Sequence, residues 1–320
     1  MTGHVRAHRA VDFPLERVLD AKTRSVSAVL PALDVAATIG DVLSVVTSLR
    51  RRGLIDEIAV VDGHSKDGTA AAARAHGVDV YQESHILPEF GEGLGKGDAM
   101  WRGLAATSGD IVVYLDTDTD GFSESFVLGL LGPILEDGGL HLIKGAFRRP
   151  FKVGSEVLPD AGGRVTELMA RPFINLFVPE LAGFVQPLAG ELAATRYLLE
   201  RVPFPVGYGV EIAMLIDAWR LVGPDALAQV DLGVRQNRHQ PLRTLTEMSY
   251  AVLAAASARV FGGSSAEAAG RGSLALPGPD GLEIRQVDLR ERPPLVRLRE
   301  SPATEAATAG ISAGEKPADP

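Results

Sequence analysis

Three carboxylates fall within five residues in "IVVYLDTDTDGF", Ile111 to Phe122, where Asp116, Asp118 and Asp120 follow a run of apolar residues. Asp starts turns readily because its side chain accepts from nearby backbone N–H groups, so a polar turn after a strand accounts for one or two of them. Carboxylates at i and i+2 on a strand tip offer more than a turn. Held close together they repel unless a cation lies between them. Mg2+ or Mn2+ prefers oxygen ligands and leaves positions open for phosphate oxygens. In open α/β sheets, ligands bind at the C-terminal ends of the strands.

Three other stretches carry usable groups. "LPALDVAATIG" (30–40) suits a loop lying against a nucleotide, or an ordinary turn with Asp34 as helix N-cap. "DGHSKDGT" (62–69) contains a turn and helix start in Ser65, Asp67 and Gly68. Asp62 stands apart from that turn, at a strand tip where a carboxylate can take a base or ribose hydroxyl. "GLGKGDAMW" (93–101) offers glycines that let backbone approach phosphate, and Lys96 as a point charge. It also reads as a flexible loop with a solvated lysine. Its spacing departs from G-x-x-x-x-G-K-[ST], which disfavours a P-loop.

These groups need a scaffold that brings them to one edge. Strands are expected at 26–33, 57–63, 78–83 and 110–116, with helices over 36–51, 67–76 and 95–107 between them. In the first helix Ile39, Val42, Leu43, Val46 and Leu49 recur at helical spacing. Such alternation implies βαβ units and an α/β fold with a doubly wound, mostly parallel sheet. Farther along, strands are expected at 140–147 and 227–234, and helices over 164–178, 208–222 and 243–261. Four parts follow: an N-terminal arm (1–22), a Rossmann-like part (23–138), a less regular part (139–262), and a tail (263–320) expected to be largely disordered.

A net charge of −9 argues against nucleic acid as the main partner. The absence of cysteine excludes disulfides, thiolate metal sites and cysteine nucleophiles. No apolar run reaches the length of a membrane span, and the N-terminal residues lack the apolar core of a signal peptide, so a cytoplasmic location is expected.

Taken in order, these features resemble a glycosyltransferase of the GT-A type: a first-strand loop and an Asp for the nucleoside, a Gly-rich basic element for phosphate, and Asp-x-Asp at the fourth strand for a metal. "GGRVTELMARP" (162–172), "QPLAGELAATR" (186–196), "FPVGYGVEIAMLID" (204–217) and "QVDLGVRQNRHQPL" (229–242) resemble the glucosyl-3-phosphoglycerate and mannosyl-3-phosphoglycerate synthase family of actinobacteria. The resemblance implies retaining transfer of a hexose from a nucleotide sugar to the 2-hydroxyl of 3-phosphoglycerate, with Mg2+ (or Mn2+ or Co2+), by a homodimer. It assigns nucleotide-sugar binding to 23–138 and acceptor binding and dimerisation to 139–262, and places Pro31, Ala32, Leu33 and Asp62 at the nucleoside and Lys96 at the phosphates. Asp116 and Thr117 fall at the donor, with Asp118 as metal ligand. Gly163, Arg164 and Thr166 would hold the phosphoglycerate. Tyr208 and Glu211 would meet the donor sugar. Asp116, Glu211 and the main-chain carbonyl of Leu188 would serve the chemistry, and no catalytic base is assigned.

Two departures from that pattern bear on specificity. Val35 and Gly63 stand where UDP-glucose-using members carry a carboxylate and a serine. The space this frees would favour a larger purine, so GDP-mannose is the expected donor, with GDP-glucose or UDP-glucose also admitted. Asn237 stands at the metal-ligating His position, leaving His239 or Asn237 to complete the metal site. Competing readings are a strictly UDP-glucose-dependent synthase and a non-catalytic nucleotide-sugar-binding protein. A sugar-phosphate nucleotidyltransferase would need cations straight after the first strand, and "PALDVAATIG" has none.

Overall fold

The computed structural model describes residues 5–149, 151–153, 156–158, 162–235, 241–262, 271–279 and 281–299. Its centre is an eight-stranded sheet. The first strands are β1 (Arg6–Arg9), β2 (Val26–Ala32), β3 (Glu57–Asp62), β4 (Asp79–Gln82) and β5 (Ile111–Tyr114). β6 (Leu142–Arg148) and the β7 (Phe151–Val153) and β8 (Glu156–Leu158) pair follow. After them come β9 (Leu192–Thr195), β10 (Phe204–Pro205) and β11 (Leu227–Val234). The sheet order is β1-β11-β6-β9-β5-β2-β3-β4. Every pairing in it is parallel except those of β9, which runs antiparallel to both β5 and β6. Val26, Ala28, Val29 and Leu30 are all buried, as expected of a parallel strand covered on both faces. This is the expected doubly wound, mostly parallel α/β architecture.

Helices α1 (Leu15–Asp20), α2 (Ile39–Arg51), α3 (Thr69–Arg74) and α5 (Glu124–Glu136) cover one face, while α4 (Lys96–Ala106), α6 (Arg171–Phe177), α8 (Val210–Val222) and α9 (Leu242–Phe261) cover the other. The short α7 (Arg196–Leu199) follows β9. The five helical residues cited from 36–51 all face the core, so the 3.6-residue period was the correct signal there. Helix α5 had no such signal. "ESFVLGLLGPILE" is apolar all round because both of its sides are buried.

Two expectations need correction. The N-terminal arm is part of the sheet. Arg6–Arg9 pairs parallel with Ala228–Asp231, and its "RAHR" lacks apolar alternation because it is an exposed edge strand held by backbone bonds. The segment from 263 is not largely disordered over its described part. β12 (Arg271–Gly278) and β13 (Gly281–Asp288) form a hairpin, β14 (Glu291–Arg292) pairs with β10, and α10 (Leu295–Arg299) follows. Its anchors are few but buried: Leu295 enters the core, Arg292 meets Asp98, and the Trp101 indole N–H donates to the Pro293 carbonyl at 2.9 Å. Composition averages away so small a set of contacts.

The expected helix over 164–178 begins as a π-helical turn, Thr166–Ala170, and continues as α6. Wide turns of this kind occur often at functional sites. The strand tips converge: Ala32 is level with Asp62, and Asp62 with Gln82, while Asp116 lies two residues beyond β5.

Candidate active site

Beyond β5, the Asp116 carboxylate takes Lys96 Nζ at 2.8 Å on one oxygen and both terminal nitrogens of Arg235 at 3.1 Å on the other. Lys96 is the first residue of α4, and its ammonium also reaches Glu211 Oε1, in the first turn of α8, at 3.0 Å. Two helix N-termini therefore meet at one lysine held between two carboxylates. Burial opposes the lysine's charge, but Asp116 and Glu211 more than offset it and hold the ammonium above the usual lysine range. Burial likewise pushes the Asp116 carboxyl up, and Lys96 and Arg235 outweigh that, leaving it well below the usual carboxylate range.

Arg235, just past β11, is wholly buried. It also pairs with Asp118 at 3.3 Å and with buried Glu191. Its guanidinium lies 5.4 Å from the Phe147 ring centroid, and that of Arg149 lies 4.9 Å from the same ring. Asp118 differs from its neighbours in that 59% of its side chain remains exposed. Thr117 turns away from the opening: its hydroxyl donates to the Pro31 carbonyl at 2.8 Å and its own carbonyl accepts from Thr38, tying the acidic turn to the tip of β2.

The loop between α6 and β9 forms the floor. A Cβ on Gly190 would fall 2.1 Å from Lys96 Nζ and 2.7 Å from Asp116, so a side chain here would push the ammonium and the carboxylate out of place. The preceding carbonyl, of Ala189, accepts from Lys144 Nζ at 2.8 Å, and Leu188 comes one residue earlier, half-buried against the core. Lys144 is enclosed in β6, and burial lowers its pKa to about 8.

On the other side of the acidic turn, Pro31, Ala32 and Leu33 line the tip of β2, and Leu33 is exposed. Asp62 is buried. One of its oxygens accepts from Gln82 at 2.7 Å and from the Ser65 N–H, while the other has no partner among the described residues. A buried acceptor left open costs free energy until a donor reaches it. The Val35 side chain is partly buried and packs against the core. Gly63 has ordinary contact space for a Cβ, with Glu83, Ala32 and Leu33 at 3.5–3.6 Å.

At the other end, Gly163 adopts φ +71°, Thr166 is buried, and Arg164 stands between them. Arg149 links this end to the acidic tip. Its carbonyl accepts from the Gly162 N–H at 2.9 Å, and burial and then Arg235 lower the pKa of its guanidinium. Tyr208 is half-exposed just before α8. Asn237 and His239 lie outside the described residues.

The structure thus brings together Lys96, Asp116, Asp118, Glu211 and the 188–191 loop. It adds Lys144, Arg149, Glu191 and Arg235, which sequence reasoning had not singled out. Lys144 left a trace, as a charged residue inside the apolar strand "LHLIKGAF".

Residues 27–152 match the family described as Glycosyl transferase family 2, and the sheet is that of a GT-A glycosyltransferase. The chain is 44% identical to the glucosyl-3-phosphoglycerate synthase of Mycolicibacterium paratuberculosis over 86% of its own length and 85% of that protein's. It superposes on the crystal structure of mannosyl-3-phosphoglycerate synthase from Rubrobacter xylanophilus with a TM-score of 0.81, at 44% identity, covering 92% of this chain and 97% of that one. The corresponding values for glucosyl-3-phosphoglycerate synthase from Mycobacterium tuberculosis, solved with Mn2+, UDP-glucose and phosphoglyceric acid, are 0.82, 40%, 92% and 99%. The chain belongs to the glucosyl-3-phosphoglycerate synthase family of hexosyltransferases. The expected preference for GDP-mannose finds no support in these relatives, whose donor complex holds UDP-glucose. Among the described residues no helix is long and apolar enough to cross a membrane.

Proposed function

We propose that this chain transfers glucose from UDP-glucose to the 2-hydroxyl of 3-phosphoglycerate with retention, using a divalent cation. The observation that carries the reading is Lys96, held between Asp116 and Glu211 under the Gly190 backbone. This is a fixed positive charge at the point where a sugar diphosphate meets an Asp-x-Asp turn.

The residues fit a hard cation. Asp116 and Asp118 supply oxygen donors, and one guanidinium already lies within 3.1–3.3 Å of both, so a positive group fits between them. Among the described residues no group of three or more His, Asp or Glu side chains is arranged to hold a metal unaided. Asp118 is therefore assigned as a ligand, with His239 or Asn237 and diphosphate oxygens completing the set. The bound ion would neutralise charge developing on the leaving diphosphate.

In this scheme Pro31, Ala32, Leu33 and Asp62 hold the uridine, with the open Asp62 oxygen accepting an imide N–H. Thr117 fixes the turn that carries Asp116 to the ribose or sugar. Lys96 stabilises the departing β-phosphate, and Arg235 holds Asp116 and Asp118 in place. Glu211 and Tyr208 orient the sugar hydroxyls. Gly163, Arg164 and Thr166 bind the acceptor's phosphate or carboxylate, for which a guanidinium fork is suited. The bond from the anomeric carbon to the β-phosphate oxygen breaks. The acceptor's 2-hydroxyl oxygen attacks from the same face, and its proton passes to the departing phosphate. The Leu188 carbonyl faces the positive charge that develops on the sugar, and Lys144 holds its loop through Ala189. Assembly as a homodimer is part of the proposal. Leu176, Phe177 and Phe261 are exposed together, with the two Phe rings 5.0 Å apart. Light scattering should give twice 33.8 kDa.

The test is NMR of the product formed from UDP-glucose, 3-phosphoglycerate and Mg2+. An α-linked glucosyl-3-phosphoglycerate is expected. An inverted linkage, or free glucose as the only product, would overturn the assignment.

A further inference from the structure

Lys96 and Asp98 share the first turn of α4, two residues apart and therefore on opposite sides of the helix. Lys96 faces the proposed donor site. Asp98 is completely buried on the far side, in a second set of charges. Its carboxylate takes Arg292 Nε at 2.7 Å and Nη2 at 2.6 Å, Arg102 Nε at 3.1 Å, and the Leu94 N–H at 3.1 Å. The third nitrogen of Arg292 donates to the Phe90 carbonyl at 3.0 Å. One guanidinium thus spans both ends of the glycine-rich loop that leads into α4.

The backbone around Arg292 acts on the same turn. β14 pairs with β10, Phe204 opposite Arg292 and Pro205 opposite Glu291. The Val206 carbonyl, one residue past β10, accepts from the Asp98 N–H at 3.1 Å. A Cβ on Gly97 would lie 1.8 Å from the Pro205 carbonyl oxygen, so α4 starts in direct contact with this strand. Glu291 is anchored in turn. It meets Arg259 of α9 at 2.6 Å, which meets Asp217 of α8 at 2.8 Å, and α8 carries Glu211. The N-cap residue of α4 is Gly95, and no side chain caps the helix there.

We propose that Arg292, with the Glu291–Pro293 segment, is a positioning element that sets Lys96 against the donor diphosphate without touching substrate. The inference rests on the reading of Lys96 as the diphosphate lysine. The bidentate fork fixes the rotation of the first turn of α4, and β14 fixes its height. The ammonium then falls between Asp116 and Glu211.

The experiment titrates UDP with Mg2+ into wild type, Lys96→Ala, Arg292→Ala and the double variant by calorimetry, alongside steady-state kinetics. Arg292→Ala should weaken UDP binding and lower kcat/KM for the donor by about tenfold, since small misplacements near the chemistry cost this much or more. The KM for 3-phosphoglycerate should stay within about twofold, and Arg292→Ala should add nothing to Lys96→Ala, as coupled sites are not additive. Arg292→Lys, which keeps the charge without the fork, should recover part of the loss. If Arg292→Ala does not fold, Trp101→Phe, which removes the indole bond to Pro293 along with ring contacts to Phe90 and Arg292, is judged by the same donor-against-acceptor split. Unchanged donor parameters in a folded variant, or equal losses for donor and acceptor, would overturn the proposal. Unchanged UDP binding in Lys96→Ala would instead overturn the site assignment.

Discussion

Helix α4 carries two charge clusters on opposite sides of its first turn, and they are built differently. Around Asp98, the carboxylate meets two guanidinium groups and a backbone N–H, with Asp98 and Arg102 fully buried. Around Lys96, four carboxylates (Asp116, Asp118, Glu191 and Glu211) share Lys96, Arg235 and Lys144, and Asp118 and part of Lys96 remain open to solvent. The closed cluster is satisfied within the protein and so acts as structure. The open cluster keeps a reachable edge at Asp118 and Lys96, which suits a bound cation and phosphate.

That contrast breaks if substitutions in the two clusters behave alike. Asp98→Ala should cost about 3–5 kcal/mol of stability in urea unfolding, because it leaves buried guanidinium groups without their carboxylate. Lys96→Ala should lower kcat by about 10²–10³, the size expected for removing one stabiliser of developing charge, with a smaller loss of stability than Asp98→Ala because Asp116 keeps Arg235.

Glu83 sharpens the contrast by pH. Burial, followed by Asp98, raises its pKa from 4.5 to about 7. Between those values the folded chain holds a proton that the unfolded chain has released. Its contribution is therefore fully present below pH 4.5 and lost as pH rises through 7, about 3 kcal/mol for a shift of this size. Glu83→Gln should flatten that part of the stability profile relative to wild type. The smallest effect is expected at the surface. Arg52→Ala breaks a half-exposed pair with Glu124 and should change stability by under about 1 kcal/mol.

The strands and helices of the first half were legible because each buries a periodic or continuous apolar face. Asp62, Lys96, Asp116 and Asp118 were legible because they end such elements. The partners that close the site were not. Arg235 and Glu191 come from segments far apart in sequence, and nothing local marks two charged residues as buried against each other. β9 escaped notice because "LAAT" is short and runs against its neighbours. β1 is polar, and the Arg292 clasp depends on a handful of contacts in a composition that looks unstructured. The GDP-mannose expectation, which finds no support in the relatives, rested on the sequence positions of Val35 and Gly63 alone, and the Val35 side chain is partly buried against the core.

The most direct measurement is the initial rate with 3-phosphoglycerate and Mg2+, comparing UDP-glucose, GDP-glucose and GDP-mannose in parallel for wild type and Asp118→Ala. Turnover with UDP-glucose that is lost in Asp118→Ala is the predicted result. Turnover with GDP-mannose while UDP-glucose stays unreacted, or wild-type rates in Asp118→Ala, would contradict it.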